Sequence, residues 1–267
     1  MGTWNTRRSQ LLSKGNEMKV AVCISGQCAS KNNLTSLERN RDRLKDKFPG
    51  ADFFYATYKS FQPAFEEAFP DDECLFVEEP IMHYHPYLDI DAADYFTPMY
   101  GDRKVWARGL SPEKLKWTSH HTKQVLIHAW LLEDMKKAGH DYDVIVRARF
   151  DTYIHKNAEP MKYVNDAYET GTVHGFGVTQ WKRFHEFYDS PMTGKHQVYM
   201  LDQMIIHRKD RIDVESVQKL HVEKKLHAAE WGWYQVLSHP YGGVHMNHHG
   251  FVNPDWSILD EYLLDLK

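Results

Sequence analysis

Residues 142–153 read Tyr-Asp-Val-Ile-Val-Arg-Ala-Arg-Phe-Asp-Thr-Tyr. Val144, Ile145 and Val146 form a short β-branched run. The helix-stop sequence Ala138-Gly139-His140-Asp141 precedes it, so the run predicts a buried strand of a parallel sheet. Arg147, Arg149 and Asp151 follow at spacing two, which on an extended chain puts three side chains on one face. Two guanidiniums and a carboxylate at the end of a buried strand are expensive to strip of water unless something pairs with them. In open α/β sheets, ligands sit at the carboxyl ends of the strands. The stretch supports two readings: a ligand site, or an internal Arg–Asp ion pair that ends the strand.

The segment before it carries the clearest helix. Thr118 to Ala138 has Thr118 or Ser119 as caps and Val125, Ala129, Leu132 and Met135 as an apolar stripe, with Gly139 as the stop. His121, Gln124 and His128 lie off that stripe. Further upstream, Val20 to Ile24 is an apolar run of strand length that leads into the small-residue loop Ser25-Gly26-Gln27-Cys28-Ala29-Ser30. A helix with Leu34, Leu37, Leu44 and Phe48 at helical spacing follows, and Pro49-Gly50 stops it. Strand, small-residue loop, helix is half of a nucleotide-binding α/β unit, whose loop amides and helix N-terminus can hold a phosphate or a base. Neither a full Gly-x-Gly-x-x-Gly nor a P-loop is present. Ala51 to Thr57 is a second strand and Cys74 to Val77 a third. Glu78 to Ser111 is irregular and aromatic, with three prolines and His83-x-His85, as expected of a functional loop or lid.

Downstream, Gly171 to Val178 predicts a strand with close backbone approaches. Asp202-Gln203 precedes the apolar run Met204-Ile205-Ile206, and helices are expected from Asp213 to Leu226 and from Glu230 to Leu237. His245, His248 and His249 near the end can be metal ligands or part of a polar loop. Alternating strand and helix up to Asp151 is what a parallel sheet requires.

Composition narrows the function classes. The 267 residues fit one large domain, or one domain with an insertion, and a hydrophobic content of 42% is enough for a core. A formal charge of -4 leaves no basic footprint for nucleic acid. Eight Trp and fifteen Tyr suit sugar stacking, although large enzymes in general can look like this. Cys23, Cys28 and Cys74 are too few and odd in number for a disulfide framework, which favours a reducing compartment. No stretch approaches the roughly 20 apolar residues of a membrane span, and none reads as a signal peptide. The expected location is the cytoplasm, peripheral to a membrane at most. Residues 1–17 read as a flexible polar extension. Met1-Gly2-Thr3-Trp4-Asn5-Thr6 also fits the myristoylation pattern, but one acyl chain anchors only marginally.

Four of these segments carry a resemblance. Lys19 to Gln27, Asp52 to Tyr58, Tyr142 to Asp151 with its Arg-x-Arg-x-Asp, and Asp202-Gln203 before an apolar strand resemble, in order and rough spacing, elements of the WavE-like glycosyltransferases of lipopolysaccharide and capsular polysaccharide synthesis. The resemblance implies a GT-A (Rossmann-like) fold over residues 18–267, an α/β domain with a mostly parallel central sheet flanked by helices. Residues 78–111 would form an acceptor-side lid. It implies a nucleoside-diphosphate sugar as donor and a hydroxyl of a glycan or lipid-linked acceptor. Ser25, Gly26, Gln27, Thr57, Arg147, Arg149 and Asp151 would line the donor site. Enzymes of this fold carry Asp-x-Asp for a divalent cation, Mn2+ or Mg2+. Here Asp151 matches the last Asp, Arg149 replaces the first, and His245 or His248 is the late ligand by chain order.

The departure at Arg149 opens a second route, in which arginines neutralise the phosphates directly. Asp202 and Glu230, beside apolar or aromatic stretches, are the candidate bases; a capping carboxylate and a first-turn helix acid are their plainer roles. A nucleotide-sugar or glycan-binding module without turnover, and a metal hydrolase built on the histidines, are the alternatives.

Overall fold

The computed structural model describes residues 18–28, 34–80, 112–177, 202–223, 225–226, 232–233, 236–237, 246–249 and 252–254. The expected extension at 1–17 and most of the expected lid lie outside the described residues.

The first strand, β1 (Val20–Ser25), is buried at every position. That is why its sequence is continuously apolar rather than alternating: helices cover both of its faces. It runs parallel to β2 (Asp52–Tyr58) on one side and to β4 (Val144–Ala148) on the other, and β2 pairs in parallel with β3 (Cys74–Val77). Beyond β4 come β7 (Met204–Arg208), β6 (Val173–Phe176) and β8 (Met246–His249), giving the order β3-β2-β1-β4-β7-β6-β8. Only β7 runs against the rest, pairing antiparallel with both β4 and β6. The expected architecture, a mostly parallel sheet between helices, is therefore the one observed. A two-stranded sheet of β5 (Thr152–Ile154) and β9 (Val252–Pro254) lies apart from it.

The two faces of the sheet carry different layers. Val22, Ile24, Val146, Ala148 and Ile206 pack with Leu37, Leu44 and Phe48 of α1 (Leu34–Lys47), Phe65 of α2 (Gln62–Ala68), and Val164 and Ala167 of α4 (Met161–Thr170). Ala21, Cys23 and Ile145 face Ile127, Leu131 and Met135 of α3 (Pro112–Lys137). Val125 and Ala129 of α3 meet Val217 of α5 (Val214–Val222), Ile205 and Trp233 in a third cluster. The stripe on α3 is thus the expected one. Its start is not: the helix begins at Pro112, six residues before the expected cap, because proline suits a first turn whose N–H groups have no intrahelical partner. The histidine-rich stretch also departs from a loop, since Met246–His249 forms the edge strand β8 beside β6.

α4 ends on Gly171, which has φ 73° and lies in the left-handed region, so the strand expected from Gly171 begins only at Val173. Its N–H bonds to the Ala167 carbonyl, and its own carbonyl accepts from Arg211. A Cβ at this glycine would stand 2.5 Å from the Arg211 guanidinium. Gly171→Ala should therefore lower stability by about 1–2 kcal/mol from backbone strain alone, read as an earlier denaturant midpoint at unchanged slope.

Candidate active site

The strand order reverses direction of growth between β1 and β4, and in such sheets the crevice outside the carboxyl ends at that point takes the ligand. Two loops meet there. After β1, Gly26 takes φ 128°, and a side chain built on it would meet nothing within 4 Å. Among the described residues nothing crowds that position, and the turn presents backbone there. The Gly26 N–H donates to the Ala56 carbonyl at 3.1 Å. The Thr57 hydroxyl donates to the Gly26 carbonyl at 2.8 Å and accepts from the Cys28 N–H at 3.2 Å. Ser25, Gly26 and Gln27 thus share one turn, with the Ser25 hydroxyl buried and without a partner among the described residues. Thr57 has another part. It is completely buried, with its hydroxyl bonded to the turn at Gly26 and Cys28, so it shapes that turn.

The second loop follows β4. The three charged residues expected on one face do not stay together, because the strand stops at Ala148 and the chain turns. Thr152 N–H donates to the Arg149 carbonyl, and the Thr152 hydroxyl accepts from the Arg149 N–H at 2.8 Å. This turn brings Arg149 onto Asp151 as a bidentate pair, with Nε to Oδ1 at 2.7 Å and Nη2 to Oδ2 at 2.6 Å. The third nitrogen, Nη1, stands 3.9 Å from Oδ2 of Asp202. Arg149 thus lies between two carboxylates, and its side chain keeps 20% of its surface in contact with solvent.

Asp202 reaches this edge because β7 is antiparallel. The residues that precede β7 lie beside the carboxyl ends of β4 and β6, and Asp202 forms a bridge with Phe176 at the end of β6. The Gln203 N–H donates to the Phe176 carbonyl at 3.2 Å, and the Gln203 carbonyl accepts from the Thr152 hydroxyl at 2.9 Å.

Arg147 corrects the expectation of a phosphate contact. Its guanidinium is completely buried on the α3 face. Nη1 donates to the Asp202 carbonyl, Nη2 donates to Oε1 of Gln124 at 2.8 Å, and the Trp233 ring lies 4.8 Å from its carbon. Burial pushes its pKa down to about 10, against the opposing pull of Asp202, and the group remains a cation at neutral pH. Gln124 and His128 are the polar positions off the α3 stripe; at i and i+4 they share a face, which was the available sign that this face meets something polar.

No protein-family model and no curated protein sequence matches the chain. Solved structures with a similar path exist at low identity. A glycosyltransferase involved in glycosylation of the major capsid of PBCV-1 is 10% identical, over 87% of this chain and 82% of that one, with a TM-score of 0.39. Mouse xyloside xylosyltransferase 1 is 10% identical, over 87% and 84%, at 0.38. Mannose-1-phosphate geranyltransferase from Thermus thermophilus is 12% identical, over 88% and 75%, at 0.42. With TM-scores this low, what the chain does has to come from its own side chains.

The remaining expected ligands divide. Glu230 and His245 lie outside the described residues. His248 occupies the β8 position registered with Gly175. Among the described residues no three His, Cys, Asp or Glu side chains gather to hold a metal. Each oxygen of Asp151 accepts one hydrogen bond from Arg149, so a cation there would share the carboxylate with a guanidinium. The donor set as built fits an arginine better than Mn2+ or Mg2+.

Behind the site, His128 and His207 are buried with ring centroids 6.2 Å apart, and His128 stands 5.4 Å from the Trp233 ring. His207 Nδ1 bonds to the Arg208 carbonyl at 2.7 Å, which makes Nδ1 the protonated nitrogen. Burial lowers the pKa of His207 to about 4. Burial, reinforced by His207 and the Arg147 charge, holds His128 well below its ordinary value. Both rings bind a proton more readily when unfolded. Stability is therefore fully present above about pH 6.5 and declines as pH falls below it, by up to about 1.4 kcal/mol per pH unit for each ring. Urea unfolding at pH 7.0 and 5.5 should show the drop, and His128→Leu should flatten it. Equal stability at the two values would contradict the assignment.

Removing the Thr57 hydroxyl should loosen the donor turn. Thr57→Val leaves the Gly26 carbonyl and Cys28 N–H without their side-chain partner, at a cost of about 1–3 kcal/mol. Faster amide exchange at Cys28 is the local readout.

Proposed function

We propose that the chain is a glycosyltransferase that moves a sugar from a nucleoside-diphosphate donor to an acceptor hydroxyl. One observation carries the reading: the Gly26 turn, the partly exposed Arg149 and the Asp202 carboxylate converge outside the carboxyl ends of β1 and β4. The GT-A expectation and the resemblance of the four sequence segments agree with it.

The chemistry follows from what each group can do. The acceptor oxygen attacks the anomeric carbon while the bond from that carbon to the phosphate oxygen breaks. The electron pair goes to the leaving diphosphate, and negative charge grows there. Arg149 supplies a fixed positive charge on that side, which counts most in a site with restricted water. Asp151 orients its guanidinium through the bidentate pair. Asp202 takes the acceptor proton as general base. The Ser25–Gln27 turn carries the nucleotide side, where its backbone allows close approach.

A thermal-shift panel of UDP-, GDP-, ADP- and dTDP-linked hexoses, with and without manganese, tests donor binding. At least one should raise the melting temperature, and chelation should leave that shift largely in place. Arg149→Lys should then cost about 100-fold in nucleotide release, because an ammonium cannot hold the bidentate pair with Asp151 and also present the further donor that Nη1 supplies. Asp151→Asn should weaken the same donor. If both variants lose only stability and bind nucleotide with wild-type affinity, the pair is an internal salt bridge and the proposal fails.

A further inference from the structure

We infer that Arg147 is a positioning residue: from the buried side of the sheet it holds the backbone of Asp202, and thereby sets where the Asp202 carboxylate stands. The inference rests on the transferase reading for what Asp202 does, and on the geometry alone for how Asp202 is held.

A guanidinium in a fully buried position has lost its water and must be satisfied by protein. Among the described residues no carboxylate hydrogen-bonds to Arg147. Its fork reaches two neutral acceptors instead, the Asp202 carbonyl and the Gln124 amide oxygen, under the face of the Trp233 ring. Each of the three comes from a different part of the chain. Gln124 lies on α3, Trp233 in a helical turn near residue 233, and Asp202 in the lead into β7. The register that pairs Arg147 with Ile205 puts the arginine two residues along from Gln203, so its long side chain lies under the lead.

That lead has two other anchors, the Phe176 carbonyl and the Thr152 hydroxyl, and both hold Gln203. Among the described residues it is the Arg147 side chain that holds the Asp202 carbonyl. Rotation of the Asp202 peptide would carry its carboxylate away from Arg149, to which it now stands at 3.9 Å. Small displacements of this kind are costly to catalysis, since a shift of about 1 Å can lower a rate about 100-fold.

The test acts on Gln124, which is half-buried, because Arg147→Met would remove a fully buried guanidinium from the core. Gln124→Leu removes one of the two acceptors, and Gln124→Glu keeps it. In Gln124→Leu the Gln203 amide should exchange about tenfold faster, the factor that loss of one hydrogen bond implies, while amides of β1 stay at wild-type rates. With the hexose nucleotide that wild type consumes fastest, kcat should fall about ten- to 100-fold and KM should stay within about twofold. Gln124→Glu should restore both. Unchanged exchange at Gln203 would overturn the inference, and so would a raised KM at unchanged kcat, which is the mark of a donor contact. If wild type consumes no sugar nucleotide, the transferase reading falls, and the exchange rates still decide whether Arg147 holds the Asp202 lead.

Discussion

A buried positive charge must find its partners inside the protein, and Arg147 is the one around which this molecule closes. Its position on β4 is central in the sheet, between β1 and β7. Stripped of water, the guanidinium demands acceptors and an electron-rich face. Gln124 of α3, the Asp202 carbonyl and the Trp233 ring meet most of that demand, and Nε is left without a partner among the described residues. One desolvated group thereby ties the helix on one face, the strand that runs backwards and a segment near the C-terminal end into a single arrangement. The histidines behind it stay neutral because a further charge in the same low-dielectric space would add to the same penalty.

The wet side of the same strand solves a different problem. Arg149 faces solvent in part, and its fork is satisfied by Asp151 at hydrogen-bond distance with Asp202 nearby. Two residues separate a fully buried arginine from one that keeps a fifth of its surface in water. The antiparallel course of β7 matters as much. Had β7 run parallel, the residues before it would lie at the opposite edge of the sheet, far from the β1 turn and from Arg149.

Several elements were legible in the amino-acid pattern. Continuous apolar runs marked β1, β2, β3, β4 and β7, and the stripe of Val125, Ala129 and Met135 marked the buried face of α3. Gly26 was readable as part of a small-residue loop after β1, and its φ of 128° lies where glycine is favoured. Other elements were not legible. α4 and β5 carry short mixed stretches whose burial depends on neighbours, and β8 was hidden by its histidines. The spacing of Arg147, Arg149 and Asp151 suggested one face only because an extended chain was assumed past Ala148; the turn held by Thr152 cancels that periodicity.

By itself, then, the sequence determined the alternation of strand and helix, the apolar faces and the stretch where charge crowds the end of a buried strand. Those follow from local periodicity and from the cost of burying unpaired charge, which any reader of the chain can apply residue by residue. Which arginine meets solvent, which carboxylate shares its site and what Thr57 does were decided only by tertiary structure. Each depends on long-range neighbours: Arg147 bonds to Asp202 55 positions away, Thr57 to Gly26 31 away, and Asp202 arrives by the direction of a strand. Local patterns carry no record of such separations, because the free energy of a buried polar group is set by what surrounds it and not by what precedes it in the chain.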